Sequence, residues 1–240
     1  MLKIEALTKY YGQQCVLDAI DLDVADNITF ALIGLNGAGK TTLLRCLLAI
    51  QSFDSGSITI NGIDSTQHVA RKVLSFLPEK FSPPSYMTGL LYLQYINDAH
   101  ELGFSKRGVL RQRAAALCKQ LALEPSALMQ AINTYSKGML QKLGLLATLF
   151  SNRSLLILDE PTTGLDPQAR MCFRQVIRAS KQTGKTILLC SHSFCDIEML
   201  CDRVGILHKG KLLFVGTVPE CQAQYQADKL ETAFLNCITQ

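Results

Sequence analysis

ITFALIGLNGAGKTT, residues 28 to 42, decides the fold of this 240-residue chain. Its first six residues form a nearly continuous apolar run, which predicts a strand that is covered on both faces. Residues 34 to 41 fit the pattern G-x-x-x-x-G-K-[ST], and a helical stretch over Lys40–Ile50 follows. Because a strand, a glycine-rich turn and a helix succeed one another, this stretch predicts an α/β fold with an anion-binding loop.

The residue types of this loop are those that phosphate binding needs. Gly34, Gly37 and Gly39 let the backbone turn tightly, so that its N–H groups face one point. Lys40 supplies a positive charge, and the helix that starts there adds the positive end of its dipole. The two threonines that follow offer one hydroxyl to Mg²⁺ and one to phosphate. We therefore predict a nucleotide site at Gly34, Leu35, Asn36, Gly37, Ala38, Gly39, Lys40, Thr41 and Thr42, with Thr41 as a ligand of Mg²⁺.

A second GKT, within Thr183–Thr186, lacks the context of the first. Ala179 stands where the pattern requires its first glycine, and the segment runs into a predicted strand instead of a helix. We predict a turn between a helix and a strand at this point.

Another apolar strand, LLILD over Leu155–Asp159, ends in two adjacent carboxylates. Adjacent strand residues point to opposite faces, so the two acids are expected to differ in role. We predict that Asp159 holds Mg²⁺ and that Glu160 orients and deprotonates the water that attacks the γ-phosphate. Acids at a strand end also cap helices, and Pro161 follows at once, so a structural role for the pair stays open.

Strands and helices alternate along the chain, which predicts an α/β fold with a mostly parallel core sheet. Together with the phosphate loop Gly34–Thr41, this pattern indicates a P-loop NTPase. The predicted strands are Ile28–Ile33, Val73–Leu77, Leu155–Asp159, Thr186–Cys190 and Val204–Leu207. The predicted helices are Lys40–Ile50, Tyr92–His100, Lys106–Leu123, Gly138–Phe150, Pro167–Gln182 and Phe194–Leu200. Residues 1–24 and Ser57–Ile63 indicate an antiparallel β edge, and His208–Lys211 indicates a hairpin turn.

The same pattern predicts one domain over residues 1–220 and a short tail over residues 221–240. Residues 79–151 are mostly helical and differ in composition from their surroundings. We interpret them as a helical subdomain inserted between two core segments, residues 1–78 and 152–217.

Composition narrows the class of protein further. The net charge is +4 and hydrophobic residues make up 48% of the chain, which excludes disorder and argues against a nucleic-acid partner. No stretch reaches the roughly 20 apolar residues of a membrane span, and Lys3, Glu5 and Lys9 interrupt any signal peptide. A cytoplasmic location is expected. The nine cysteines contain no C-x-x-C and are predicted to be reduced, mostly buried thiols.

Five further segments follow in an order that identifies a family. They are Tyr11 in KYYG, Leu77–Glu79 (LPE), Tyr135–Met139 (YSKGM), Pro161–Asp166 (PTTGLD) and His192 after the strand TILLCS. With the phosphate loop, these segments resemble the nucleotide-binding subunit of an ABC transporter, over roughly residues 1 to 220. The resemblance implies the ABC ATPase type of fold, with ATP and Mg²⁺ as ligands and ATP hydrolysis as the activity.

The resemblance also implies that two copies pair head to tail around two ATP molecules, most simply as a homodimer. Ser136, Lys137 and Gly138 would then face the γ-phosphate held by the other copy, and Asp166 would link the two sites. The helix that starts at the signature segment favours an anion at its N-terminus. Lys137 replaces a glycine of the family signature, so it offsets the charge of the partner's site or extends into solvent.

Three more residues acquire roles from the resemblance. Tyr11 is expected to stack on adenine, and His192 to contact the γ-phosphate and sense its loss, unless it is a satisfied strand-end residue. Glu79 replaces the usual glutamine and would approach Mg²⁺ through water, adding negative charge near the phosphates.

The variants YSKGM and LPE resemble the branch whose ATPase is a separate chain that serves a separate membrane permease. The chain would then lie on the inner face of the cell membrane as the motor of an exporter. LPEKF and PPSYMTG resemble the copper-processing transporter of nitrous-oxide reductase maturation. The alternative is an ABC ATPase with a regulatory or translation-linked role that never meets a membrane.

The basic residues Lys106, Arg107, Arg111 and Arg113 indicate a solvated helix face or a surface near the permease.

Overall fold

Two β-sheets organise the chain in this computed structural model, which describes residues 1–100, 102 and 107–239. The first sheet is antiparallel, and its order is β2-β1-β4-β5. Its strands are β1 Leu2–Tyr11, β2 Gln14–Val24, β4 Ser55–Ile60 and β5 Ile63–Asp64. The second sheet has the order β10-β9-β3-β8-β7-β6. Its strands are β3 Thr29–Ile33, β6 Leu74–Leu77, β7 Leu155–Asp159, β8 Thr186–Cys190, β9 Arg203–His208 and β10 Lys211–Gly216.

The second sheet is parallel except at its edge, where β10 runs antiparallel to β9. Strands β3, β7 and β8 are buried along their whole length, as apolar strands covered on both faces should be. Because these three strands are parallel neighbours, the loops that follow them meet at one edge of the sheet. That edge receives the glycine-rich loop, the two acids and His192.

Helices cover the sheets and fill three apolar clusters. They are α1 Lys40–Leu47, α2 His68–Arg71, α3 Gly89–Ala99, α4 Arg107–Gln120, α5 Lys137–Phe150, α6 Pro167–Gln182, α7 Phe194–Leu200, α8 Val218–Gln224 and α9 Leu230–Thr239. One cluster joins α3 to α6 with one face of the second sheet. Another packs α1 between the two sheets, and the third packs α7, α8 and α9 against β3, β9 and β10.

The fold class predicted from sequence is confirmed, with an α/β core, a largely parallel sheet and an antiparallel edge. The second GKT forms the predicted turn between α6 and β8, where Gly184 has φ +85°. The nine cysteines are free thiols, five of them buried. Among the described residues, no helix is both long and apolar enough to cross a membrane.

Several predicted helix bounds are wrong by a few residues, and local chemistry explains them. Helix α5 starts at Lys137 and not at Gly138, because the Ser136 hydroxyl accepts a hydrogen bond from the Met139 N–H and caps it. Helix α3 starts earlier than predicted, capped in the same way by Thr88. Helix α1 ends before Ala49, whose φ is +53°. Helix α4 is shorter than predicted, and Lys106 and the Arg107 side chain lie outside the described residues.

Candidate functional site

A cavity of about 790 Å³ opens at the carboxyl edge of the second sheet. Most residues that the sequence predicted for the site line it together: Tyr11, Gly34, Leu35, Asn36, Gly37, Ala38, Gly39, Lys40, Thr41, Thr42, Glu79, Asp159, Glu160 and His192. Ser136, Lys137, Gly138 and Asp166 are not among the residues that line it. The predicted residues therefore form two groups in a single copy of the chain.

Two glycines of the loop are required by close packing. A Cβ atom on Gly34 would overlap the carbonyl oxygen of Leu207 in β9. A Cβ atom on Gly39 would lie 3.0 Å from the carbonyl oxygen of Val16, and its φ of +111° disfavours any side chain. Because no side chain intervenes, the loop backbone can lie directly against β9 and β2.

The hairpin between β9 and β10 joins this loop to the first sheet. The N–H of Gly210 donates to the carbonyl oxygen of Ala38 at 3.0 Å, and its own carbonyl accepts from the N–H of Asp18 at 2.9 Å. Gly210 has φ +78°, and a Cβ atom there would lie 2.6 Å from the carbonyl oxygen of Val16. One residue thus connects the phosphate loop to strand β2.

The ammonium group of Lys40 lies over the loop that precedes it. Its Nζ donates to the carbonyl oxygens of Gly34 at 2.6 Å and Leu35 at 3.2 Å. Its positive charge also lowers the pKa of Asp159, which faces the same cavity. The side chain is therefore placed to meet an anion that enters the loop.

Asp159 is a desolvated carboxyl group with like charges nearby. Only 7% of the residue is exposed, and its pKa is raised to about 6. Burial is the largest cause of the rise, the charges of Glu160 and Glu79 add to it, and the charge of Lys40 opposes it. A divalent cation at this position would relieve the repulsion and restore the ionised form.

The residues present fit Mg²⁺ as it is usually bound beside phosphates. Mg²⁺ takes one or two carboxylates and completes its shell with water and substrate phosphate oxygens. Asp159 and the hydroxyl of Thr41 line the same cavity, with Glu79 at its exposed side. Among the described residues there is no group of three or more His, Cys, Asp or Glu that could hold a metal. The site therefore suits a cation that arrives with a phosphate.

Glu160 adopts a backbone conformation that is unusual for its residue type. Its φ is +49°, and its N–H donates to the carbonyl oxygen of Cys190 in the neighbouring strand at 2.8 Å. This turn aims the carboxylate into the cavity, where its Oε2 lies 2.7 Å from Nδ1 of His192. The His192 side chain is 80% exposed, so it is not a packed strand-end residue.

Ser136, Lys137 and Gly138, the residues of the signature segment, lie at the start of α5. Gly138 approaches the loop before α6 so closely that a Cβ atom would lie 3.2 Å from the carbonyl oxygen of Gly164. Nε2 of Gln141, a buried residue one turn into α5, donates to the carbonyl oxygen of Pro161 at 3.0 Å. The helix behind the signature is thus bonded to the backbone that follows the two acids.

Asp166 caps α6 in this structure. Its Oδ1 accepts a hydrogen bond from the Ala169 N–H at 2.8 Å, and this bond lowers the pKa of the carboxyl group. Its Oδ2 lies 3.8 Å from Nζ of Lys142, in an ion pair whose carboxylate is exposed and whose lysine side chain is mostly buried. The residue sits beside the signature helix and outside the cavity.

Six residues that line the cavity were not predicted as site residues from the sequence: Val16, Ile33, Thr163, Ser191, Phe194 and Phe234. Thr163 and Ser191 lie within or beside recognised segments, so their neighbours were a usable signal. Phe234 belongs to α9, in a tail where no motif was found, and only the fold brings it here.

Comparisons with known proteins agree with this geometry. Residues 17–163 match the family described as "ABC transporter". The lantibiotic transport ATP-binding protein SrtF of Streptococcus pyogenes is 34% identical over 213 residues, which are 89% of this chain and 89% of that protein. The linearmycin resistance ATP-binding protein LnrL of Bacillus subtilis is 30% identical over 96% of this chain and 73% of its own length.

A third relative is longer than this chain. An uncharacterized ABC transporter ATP-binding protein of Synechocystis is 36% identical over 85% of this chain, and the match spans 57% of that relative. Among solved structures, an ATP-binding subunit of an ABC transporter superposes with a TM-score of 0.91 at 28% identity, over 99% of both chains. The cassette MJ0796, solved as a dimer with ADP and Pi after hydrolysis, has a TM-score of 0.83 at 20% identity, over 90% of this chain and 98% of its own.

Proposed function

The chain belongs to the ABC transporter family, and we propose that it is the ATP-hydrolysing subunit of an exporter whose permease is a separate chain. Family membership makes it an ATPase. The observation that supports the site assignment is the single cavity that joins the phosphate loop, Asp159, Glu160 and His192. The partner, the direction of transport and the role of each residue form the proposal.

ATP binds in this proposal with its phosphates in the loop and its base towards the first sheet. The loop N–H groups and Lys40 bind the phosphate oxygens, while Tyr11, which is 44% exposed at the end of β1, stacks on adenine. Lys9 lies over the Tyr11 ring at 5.5 Å and holds it in place. Glu160 accepts a proton from the attacking water, and His192 orients the carboxylate and contacts the γ-phosphate.

Mg²⁺, when bound with ATP, neutralises charge that develops on the phosphate oxygens. We assign its ligands on this chain as Asp159 and Thr41, with Glu79 contacting it through water. Ionised Asp159 is the form that binds, so Lys40 and the cation both favour it over the protonated form.

A second copy of the chain completes the site in this proposal. Ser136, Lys137 and Gly138 do not line the cavity of their own copy, yet they begin a helix whose N-terminal N–H groups favour an anion. A head-to-tail partner would bring them to the γ-phosphate. Asp166, next to the same helix, would then lie near both sites.

Two observations support export through a separate permease: an exposed aromatic groove on this chain and the names of several related proteins. A groove of about 580 Å³ next to Glu79 is lined by aromatic rings that include Phe81, Tyr86, Tyr92 and Tyr95. Tyr86 is 78% exposed and Tyr95 is 57% exposed. We assign this groove to an apolar segment of the permease. Glu79 stands between the groove residues Pro78 and Lys80 and also lines the nucleotide cavity, so a segment bound in the groove would lie next to that cavity. Linearmycin and daunorubicin resistance ATP-binding proteins are among the relatives.

The branch of the ABC transporter family and the transported substrate are narrower parts of the same proposal. The LPEKF and PPSYMTG segments line this groove through Lys80, Phe81, Pro83, Pro84 and Met87. They support a permease like that of the copper-processing transporter of nitrous-oxide reductase maturation. Loss of copper delivery to that reductase in a deletion strain, restored by the wild-type gene, is the expected result.

The experiment that tests the main proposal is affinity purification of the tagged chain from detergent-solubilised membranes. An integral membrane protein should copurify, and Tyr86→Ser should reduce its yield. Met171→Ser is the matched control, because Met171 is also a large apolar residue, 60% exposed, and lies on α6 away from the groove. ATP-dependent association with ribosomes and no membrane partner would instead support the alternative of a non-transport ABC ATPase.

A further inference from the structure

Helix α9, near the end of the chain, reaches the nucleotide cavity. Phe234 lines that cavity although only 4% of the residue is exposed, and Phe194 of α7 lines it as well. The two rings are 5.5 Å apart between centroids and are tilted by 48°. This aromatic contact joins residues 40 positions apart, so it is a property of the fold.

A second contact, a hydrogen bond, joins α9 to α7. The N–H of Leu230 donates to Oε1 of Glu198 at 3.0 Å. Glu198 lies four residues after Phe194, and positions i and i+4 share one face of a helix. Helix α9 is therefore docked along one face of α7 at two points, through Phe194 and through Glu198.

Helix α7 needs such support because it is short. It has seven residues, and Ser193 at its N-terminus makes no side-chain capping bond. On another side, Nε of Arg174 in α6 lies 2.6 Å from Oδ1 of the buried Asp196. Side chains of α6 and α9 therefore both contact α7, in addition to the packing of its buried Ile197 against the second sheet.

His192 stands two positions before Phe194 in the chain, directly ahead of α7. Its side chain is 80% exposed, so packing around the ring does little to hold it 2.7 Å from Glu160. Its direction depends on the backbone between Ser191 and Phe194, where the Ser193 N–H is fixed to Oγ of Ser191 at 3.1 Å. A shift of Phe194 would move one end of that short segment.

We propose that Phe234 is a positioning residue for ATP hydrolysis, which sets His192 against Glu160 through its contact with Phe194. The inference rests on the proposed function, since it assigns Phe234 to the hydrolysis that Glu160 and His192 carry out. Displacement of a catalytic group by about 1 Å can cost on the order of a hundredfold in rate. Phe234→Ala should therefore lower kcat for ATP hydrolysis by roughly tenfold or more and leave KM within about twofold.

The test compares steady-state ATPase rates of wild type, Phe234→Ala, Phe234→Leu and Leu235→Ala, each divided by the number of ATP-binding sites found by titration. This normalisation removes any unfolded fraction. Phe234→Leu keeps an apolar side chain in contact with Phe194 and should recover most of kcat. Leu235→Ala is the control, because Leu235 is the next residue on α9 and is 50% exposed.

A second comparison uses the His192→Ala background. There, Phe234→Ala should lower kcat by less than about twofold, because the group that it positions is already gone. Equal fold losses in both backgrounds would overturn the proposal, and so would a raised KM with an unchanged kcat, which would make Phe234 only a wall of the cavity. A wild-type chain that binds ATP and does not hydrolyse it would contradict the proposed function itself, whatever the Phe234 variants do.

Discussion

Nδ1 of His192 lies 2.7 Å from Oε2 of Glu160, although the two residues follow different strands of the sheet. Strands β7 and β8 are parallel neighbours, and Asp159 pairs with Cys190 in their register, so the residues beyond their ends meet. The left-handed turn at Glu160 then points its carboxylate towards the imidazole. The proposed base and the histidine proposed to orient it thus lie within hydrogen-bond distance on a single copy of the chain.

Glu160→Gln should separate ATP binding from ATP hydrolysis. The amide keeps the shape of the side chain but cannot take a proton from water, so kcat should fall at least about a hundredfold. ATP should remain bound in a stable dimer, which size-exclusion chromatography with labelled ATP would detect. Glu231→Gln, in α9, is the control. Wild-type turnover in Glu160→Gln would remove Glu160 as the base.

Lys40→Ala should weaken ATP binding by about 10- to 100-fold, as expected for a lost charge-assisted contact with phosphate. Isothermal titration with MgATP measures the change. The chain supplies its own control in Lys185 of the second GKT, which donates to the carbonyl oxygen of Arg153 at 2.8 Å and not to the phosphate loop. Lys185→Ala should bind ATP as tightly as wild type, and an equal loss in both variants would contradict the assignment.

Asp159 should make the unfolding free energy depend on pH. Its pKa rises from 3.8 to about 6 on folding, so the folded state binds more protons than the unfolded state between these pH values. The contribution of the protonated carboxyl is complete below pH 4 and is lost as the pH rises through 6. Full ionisation costs about 3 kcal/mol by this shift.

Asp159→Asn removes that titration and also the proposed Mg²⁺ ligand. Urea unfolding at pH 4.5 and pH 7.5, without nucleotide, should show the variant gaining stability relative to wild type at the higher pH. The Mg²⁺ dependence of ATP binding should weaken in the same variant. An Asp166→Asn control should give no gain, because hydrogen bonding lowers the pKa of Asp166. Identical pH profiles for wild type and Asp159→Asn would contradict the buried-acid account.

Mixed dimers should reveal that each site uses two copies of the chain. When one copy carries Lys40→Ala and the other carries Ser136→Arg, one of the two sites keeps both residues. When both changes are placed on the same copy beside a wild-type partner, neither site is intact. ATPase assays of doubly tagged dimers should find activity only in the first case, and equal activity in the two cases would contradict the head-to-tail arrangement.

Local signals in the sequence were sufficient to predict the phosphate loop, the strand that ends in two acids and the mostly parallel class of the core sheet. Gly34 to Thr42 form a contiguous pattern, and the apolar runs of β3, β7 and β8 are long enough to predict buried strands. The start of α5 was misplaced by one residue because Ser136 acts as a cap, a choice that depends on backbone geometry. The Phe194–Phe234 contact was not predictable, because it depends on how α9 packs against α7 across 40 residues of chain.

The hairpin residue Gly210 has a consequence for how the chain tolerates change. Its N–H and carbonyl join Ala38 of the loop to Asp18 of the first sheet, and it leaves no room for a Cβ atom. Lys209 beside it also has a left-handed φ, of +47°, but this residue is exposed and already carries a side chain. In a saturation library selected for ATP binding, position 209 should accept Asn, Asp and Gly, whereas position 210 should return glycine alone.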